Sequence, residues 1–103
     1  MEYIFVITTV PDRELGERLS KAIVESKLAA CVTISSSCKS FYWWEKNITE
    51  DEEFILFIKT KNSLYEKLEN KIKQLHTYSI PEIISFKIEK GNKDYLKWID
   101  EVI

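Results

Sequence analysis

The sequence predicts an α+β fold in which two helices cover one face of an antiparallel sheet. Segments rich in β-branched and aromatic residues alternate with two helical stripes in the order β-α-β-β-α-β, and a short third helix follows. This order is the split βαβ, ferredoxin-like arrangement, a βαββαβ sandwich with an added C-terminal helix. The chain has 103 residues, which is enough for one small domain, so residues 1–103 are predicted to form a single unit.

The first half of the chain contains the first βαβ pattern. Residues 1–9 are mainly β-branched and aromatic, which predicts a strand. Pro11 and Asp12 then open a helix, with the proline expected in its first turn, where a missing N–H costs little. A second strand begins at residues 28–32, and apolar residues continue through three serines to residues 40–44. This last region is either one long strand with an irregularity or two short strands.

The middle of the chain predicts a polar turn, a strand and a capped helix. Residues 45–53 are polar and acidic and are interpreted as a solvated turn. Residues 54–60 are apolar on both faces and are predicted to form the third strand. Ser63 and Glu66 have the spacing of a capping box, in which each side chain satisfies an amide of the other residue.

The last third predicts a helix end, a strand and a short helix. The apolar stripe of the second main helix ends near His76, and Pro81 disfavours helical geometry in the residue before it. Residues 82–88 are predicted to form the fourth strand. Gly91 and Asn92 then interrupt the chain before an amphipathic C-terminal helix.

Two predicted strands are apolar on both faces, at residues 3–7 and 54–58. A sheet with helices on one side normally has a polar second face. The short C-terminal helix covers only part of that face, so we expect other copies of the chain to cover the rest. The aromatic hairpin is the expected arm between copies, because an isolated two-stranded hairpin is only marginally stable in water.

Composition excludes several classes of protein. There are 15 basic and 17 acidic residues, so the net charge of −2 argues against a nucleic-acid partner. No apolar run approaches the roughly 18 residues of a membrane helix, so no membrane partner is expected. The N-terminal segment lacks the basic region of a signal peptide, and two cysteines suggest free thiols. The sequence therefore predicts a cytoplasmic protein.

The single histidine, His76, has two interpretations. A histidine in the last turn of a helix interacts favourably with the negative end of the helix dipole. Alternatively, its ordinary pKa near 6.5 suits a metal ligand or a proton shuttle. One histidine does not complete a metal site alone, so the second interpretation requires further ligands.

Cys31 and Cys38 are the candidate soft metal ligands. Their odd separation of seven places them on opposite faces of a regular strand, unless the serines between them form a bulge. The alternative is that both are small residues in or near the core. Lys59 directly follows an apolar strand and is either an edge charge or a buried amine. No nucleophile–base pattern or phosphate loop is present, so we expect no enzymatic activity.

Five motifs follow one another along the chain: "KLAACVTI", "SFYWWE", "EEFILFIKT", "HTYSIPEII" and "GNKDYLKWI". Together they resemble the CutA family of divalent-cation tolerance proteins. The resemblance covers nearly the whole chain and implies a ferredoxin-like homotrimer built through strands shared between subunits. The family is also similar to the PII signalling proteins in shape and trimeric assembly. Copper or another divalent cation is the implied ligand, with no organic cofactor.

The resemblance also implies site residues in a cleft between subunits. Among the metal candidates it picks out His76 and Cys31, and Cys38 is added as the second soft ligand from the residue chemistry above. The cleft candidates are Tyr42, Trp44, Glu53, Lys59, Tyr78 and Glu82, with Pro81 beside them.

Two positions depart from the family pattern. Ser79 stands where the family usually has glutamate, and Lys46 stands where it usually has glycine, so Asn47 is expected to take the left-handed backbone conformation. Three functions are open at this point. They are a copper-binding and metal-tolerance protein, a PII-like sensor that holds a small anion through Lys59, and a structural trimer that scaffolds partner proteins.

Overall fold

A computed structural model describes residues 2–103 and confirms the α+β fold with a C-terminal helix. The elements are β1 (Tyr3–Val10), α1 (Arg13–Glu25), β2 (Cys31–Ile34), β3 (Cys38–Trp44), β4 (Asn47–Lys61), α2 (Tyr65–Leu75), β5 (Ile83–Lys87) and α3 (Lys93–Val102). A 3-10 turn at Asn62–Leu64 precedes α2.

The sheet is antiparallel and is organised around the long strand β4. Its order is β2-β4-β1-β5, and β3 pairs with the N-terminal half of β4 beyond the end of β2. The C-terminal half of β4 lies between β1 and β2, so it is central in the sheet. The N-terminal half and β3 form a two-stranded hairpin that extends from the body, and the molecule measures 45 × 25 × 24 Å. The chain thus has a body of four strands and one protruding arm.

The prediction of a polar turn over residues 45–53 is wrong. Only Glu45 and Lys46 form the turn, and β4 begins at Asn47, which pairs with Trp44. Apart from the buried Glu53, the acidic residues belong to an exposed ribbon, so the apolar alternation that marks a strand is missing. Cross-strand charge pairing replaces it: Lys39 Nζ lies 2.7 Å from Glu50 Oε1.

The hairpin turn has two residues in the left-handed region. Glu45 has φ 48° and Lys46 has φ 68°, so the loop is of the type I′ class that fits the twist of a hairpin. The expectation that Asn47 takes this conformation is therefore wrong. Asn47 instead donates from its side-chain amide to the carbonyl of Glu45 over 3.1 Å.

We expect Lys46→Gly to stabilise the hairpin. A non-glycine residue in the left-handed region destabilises the folded state by about 1 kcal/mol. Glycine removes this strain but makes the unfolded chain more flexible, so the net gain in unfolding free energy should be about 0.5 kcal/mol. Asn47→Gly is the matched control and should destabilise, because Asn47 has strand geometry. Urea unfolding of both variants measures the difference, and a gain in the control with a loss in Lys46→Gly would contradict the turn geometry.

The serine tract forms a bulge between β2 and β3, so the region is two short strands. Ile34 pairs with Leu56 and Cys38 pairs with Glu53, which leaves three residues, 35–37, opposite two, 54 and 55. One extra residue reverses the alternation of side chains along the strand. Cys31, which pairs with Lys59, and Cys38 therefore share one face of the sheet.

The helix ends follow sequence signals in part. Asp12 caps α1 by accepting from the Leu15 amide over 2.7 Å, so Pro11 precedes the cap and does not lie in the first turn as predicted. The predicted capping box is also wrong, because Ser63 lies in the 3-10 turn and α2 begins without a side-chain cap. Asn92 caps α3 through the Tyr95 amide over 3.1 Å, as the chain break there indicates.

The core lies between the two long helices and the sheet. Its buried side chains come from alternate positions of β1 and β4 and from one stripe on each of α1 and α2. They include Ile4, Val6, Val10, Leu15, Leu19, Ile23, Leu56, Ile58, Leu68 and Ile72. Two threonines share this face: Thr60 donates to the carbonyl of Leu28 over 2.7 Å, whereas Thr8 Oγ1 has no partner within residues 2–103.

We expect Thr8→Val and Thr60→Val to have opposite effects. Valine has nearly the shape of threonine, so Thr8→Val removes a buried, unpaired hydroxyl and should stabilise the protein by about 1 kcal/mol. Thr60→Val leaves the Leu28 carbonyl without its donor and should destabilise by about 1 kcal/mol. Thermal unfolding of the two variants checks this, and equal shifts of the same sign would contradict the assignment.

The other side of the sheet, opposite α1 and α2, is called the open face here. Phe5 and Phe57 stack on it with ring centroids 5.7 Å apart, and Ile84 and Phe86 remain 44% and 49% exposed. α3 covers one end, where Asp100 accepts from Tyr3 and pairs with Lys61. The chain alone therefore leaves a large apolar surface in water, which marks an interaction site.

No helix within residues 2–103 is both long and apolar enough to cross a bilayer.

Candidate functional site

A groove of about 710 Å³ lies between the hairpin and the loop that follows α2. Five predicted cleft residues line it: Tyr42, Trp44, Glu53, Tyr78 and Glu82. The remaining lining residues are Thr9, Ser40, Phe41, Trp43, Thr77, Ser79 and Ile80.

Two tyrosine–carboxylate pairs organise the groove. Tyr78 donates to Glu53 Oε2 over 2.7 Å, and Glu53 is only 7% exposed although it carries a carboxyl group. Tyr42 donates to Asp51 on the neighbouring strand. Burial, followed by the hydrogen bond to Glu53, raises the pKa of Tyr78 well above its ordinary value. The hydrogen bond to Asp51 is the main cause that raises the pKa of Tyr42.

These shifts predict a loss of stability in alkaline solution. The pKa of Tyr78 is raised in the folded state, so its stabilising contribution is complete below about pH 10 and falls as pH rises beyond that value. Tyr78→Phe cannot ionise, so wild type should lose more unfolding free energy than the variant between about pH 8 and about pH 11. Urea unfolding at both pH values measures this, and a constant gap between the two proteins would contradict it.

His76 has both ring nitrogens engaged within the chain. Nε2 lies 2.8 Å from the Thr9 carbonyl, and Nδ1 accepts from the Tyr78 amide over 3.0 Å. This pattern requires the neutral tautomer with its proton on Nε2. The backbone also ends α2 here, as predicted, through the His76 amide and the Ile72 carbonyl. A metal-ligand role for His76 stays a prediction, and it requires one of the ring hydrogen bonds to break.

The two cysteines share a face but do not meet. Cys38 Sγ lies 3.3 Å from the Glu53 carbonyl, whereas Cys31 Sγ lies 3.9 Å from Lys59 Nζ. Their partners are six residues apart along β4, or about 20 Å. The bulge therefore restores the common face without bringing the sulfurs together. Across residues 2–103, no three His, Cys, Asp or Glu side chains are grouped so that they could hold a metal ion.

Lys59 does not line the groove. It lies on the same strand as Glu53 but in the body of the sheet, where Nζ donates to Thr33 Oγ1 over 3.2 Å. The resemblance placed Lys59 and Glu53 in one cleft, and within a single chain they are separated along the strand.

Two residues escaped the sequence analysis: Asp51, which lies behind Tyr42 outside the groove, and Thr9, which lines it. Asp51 was assigned to a solvated turn, although the two-residue loop places it beside Tyr42 on one face of the hairpin. Thr9 lines the groove, and its carbonyl accepts a hydrogen bond from the His76 ring. A correct hairpin register would have identified Asp51, but the sequence has no local signal that joins residue 9 to residue 76.

Comparison with known proteins gives the family. The family model described as "CutA1 divalent ion tolerance protein" matches residues 4–102. The chain belongs to this CutA1 family. The resemblance stated from the five motifs is thereby confirmed.

Relatives and solved structures agree over nearly the whole chain. The divalent-cation tolerance protein CutA of Thermus thermophilus is 42% identical over 96 residues, covering 93% of each chain. The CutA1 structure from Oryza sativa has a TM-score of 0.96 and 42% identity, covering 99% of this chain and 94% of that one. The chloroplastic rice protein CutA 1 is 45% identical, and the match spans 54% of its length. These relatives share the fold of the chain, and the Thermus protein is named as a divalent-cation tolerance protein.

The predicted cytoplasmic location is wrong as an inference from this sequence. The structure of the periplasmic divalent cation tolerance protein CutA from Archaeoglobus fulgidus is 40% identical, with a TM-score of 0.94 and 97% of each chain covered. The prediction rested on an N-terminal segment without a signal-peptide pattern and on two cysteines taken as free thiols, and neither feature establishes a cytoplasmic setting in this family.

Proposed function

We propose that this chain forms a single-domain homotrimer that acts in divalent-cation tolerance by binding a divalent cation, copper among them, and not by catalysis. The observation that carries the proposal is the match of residues 4–102 to the divalent ion tolerance family. Relatives named as divalent-cation tolerance proteins cover the same length.

The surface of the chain supports assembly. The open face carries Ile84 and Phe86, and the hairpin carries Phe41 and Trp43, which are 65% and 71% exposed. Burying the exposed part of each of these side chains against another copy contributes about 1–2 kcal/mol. β3 also has an unpaired edge, which favours strand pairing between copies. A trimer built through shared strands would bury the apolar surface and pair the open edge of β3.

The donor set fits a cation only in an assembly. Cys31, Cys38 and His76 offer sulfur and imidazole donors of the kind copper prefers, but one chain does not bring them together. Donors that lie close to a threefold axis meet their equivalents from the other copies, so an assembly supplies ligands that one chain lacks. The cation site is therefore proposed to lie between subunits.

Metal uptake by the assembled protein tests this proposal. Purified oligomer is titrated with copper, and bound metal per chain is measured for wild type, Cys31→Ser, Cys38→Ser and His76→Gln. We expect a fixed stoichiometry in wild type that falls in at least one variant, while Thr33→Ser, on the same strand as Cys31, leaves it unchanged. No uptake by wild type, or equal uptake by all variants, would contradict the proposal.

A further inference from the structure

We propose that the groove binds a small organic ammonium ion, an amine with an apolar body. This goes beyond metal tolerance, and it differs from a site for an anion held by Lys59, which lies outside the groove.

The groove has a negative charge without a basic partner. Its lining includes Glu53 and Glu82, contains no Lys, Arg or His among residues 2–103, and has Asp51 behind Tyr42. A cation is therefore the ligand whose charge complements the site.

Glu53 is the residue that most requires a cationic partner. It is 93% buried, and only its Oε2 receives a hydrogen bond, from Tyr78. Oε1 receives no hydrogen bond within residues 2–103. It is not fully enclosed either, because the Thr8 hydroxyl is the only enclosed side-chain N or O atom without a partner in that range. Oε1 is therefore accessible from the groove that Glu53 lines. A buried carboxylate is costly unless it is paired. An ammonium group at Oε1 provides that pair through a charge-assisted hydrogen bond.

The walls of the groove select an organic cation over a hydrated metal ion. Tyr42, Trp44 and Tyr78 present aromatic side chains, which attract ammonium groups through their ring faces and also bind apolar groups. The volume of about 710 Å³ lies in the range of small-molecule sites. No three metal-ligating side chains are grouped within residues 2–103. An amine with an apolar body uses both the carboxylate and the aromatic walls.

A matched pair of probes tests the charge requirement. Phenethylamine and the neutral phenethyl alcohol have nearly the same shape, and binding is followed by tryptophan fluorescence and by NMR of the ligand. We expect saturable binding of the amine to the assembled wild type and binding of the alcohol weaker by about tenfold or more. Added salt should weaken binding of the amine but not of the alcohol.

Glu53→Gln locates the site, and Glu52→Gln is its control. Both remove one negative charge from neighbouring residues of β4, but Glu52 points away from the groove and does not line it. We expect Glu53→Gln to weaken amine binding by about tenfold or more and Glu52→Gln to leave it unchanged. If Glu53→Gln fails to fold, Glu82→Gln replaces it, with a smaller loss expected because Glu82 is exposed.

Three results would overturn the proposal. They are no saturable binding of the amine by folded, assembled wild type, equal binding of amine and alcohol, and equal losses in the groove and control variants. The metal proposal is judged separately, because it names Cys31, Cys38 and His76 and not Glu53. Copper uptake that is unchanged in Glu53→Gln would leave it intact whichever way the amine experiment ends.

Discussion

Phe86→Glu should convert the assembled protein into monomers. Phe86 lies on the open face, is 49% exposed in the single chain and has its ring centroid 6.3 Å from that of Phe5. Phe86 is already half buried in the single chain, so covering the rest against another copy contributes about 1 kcal/mol, and a carboxylate in its place must be desolvated at a larger cost. The penalty occurs in every subunit of a symmetric assembly, so dissociation should be complete at micromolar concentration.

Ser85→Glu is the control for this variant. Ser85 is the neighbouring residue of β5, is exposed, and points to the opposite side of the sheet. Light scattering after size-exclusion chromatography should give the mass of one 12.2 kDa chain for Phe86→Glu and of three chains for wild type and Ser85→Glu. A trimeric Phe86→Glu protein would show that the open face is not the interface.

His76→Ala should destabilise the fold by about 2–3 kcal/mol. The substitution removes both ring hydrogen bonds, which join the end of α2 to the Thr9 carbonyl and to the Tyr78 amide. It also removes the ring that packs on Tyr78 with centroids 4.7 Å apart. The loop that lines the groove therefore loses its attachment to β1.

Thr77→Ala is the control for the histidine variant. Thr77 is the next residue, is exposed, and makes no side-chain hydrogen bond within residues 2–103. Urea unfolding should show a change below about 0.5 kcal/mol for Thr77→Ala, as is usual for surface substitutions. A similarly small change in His76→Ala would mean that the ring hydrogen bonds do not stabilise the fold, and would favour a free imidazole available to metal.

The body of the fold was predictable because its signals are local and periodic. The strands at Tyr3–Val10 and Ile83–Lys87 are β-branched and apolar, and α1 and α2 each carry an apolar stripe. Burial in this region follows the sequence pattern because each element has one face against the core. The excess apolar character of two strands also indicated correctly that one sheet face is left uncovered by the chain.

The hairpin was not predictable in the same way. β4 continues through an acidic block because it pairs with β3, and an exposed ribbon does not show apolar alternation. The turn places Glu45 and Lys46 in left-handed geometry. Glutamate and lysine are not the residue types that signal such a turn, which are asparagine, aspartate and glycine. Misplacing this turn separated Tyr42 from Asp51, so the hydrogen bond that holds Tyr42 beside the groove was not predicted.

The site residues divide by how far apart they lie in the chain. Tyr78 and Glu82 occur close together after α2, so one motif identified both. The bond between Tyr78 and Glu53 spans 25 residues, and the bond between His76 and Thr9 spans 67. Such pairs depend on the register of the sheet, which the sequence alone does not fix. The register also explains why Lys59 lies outside the groove: it pairs with Cys31 in the body of the sheet, whereas Glu53 pairs with Cys38 in the hairpin.

Copper binding by the Phe86→Glu monomer tests the central claim most directly. This variant keeps Cys31, Cys38 and His76, and the substitution lies outside all three. We predict that the assembled wild type and Ser85→Glu bind copper at a fixed ratio per chain, and that the folded monomer loses this binding. If the monomer binds copper with the same ratio and affinity as the trimer, the cation site does not lie between subunits and the account is contradicted.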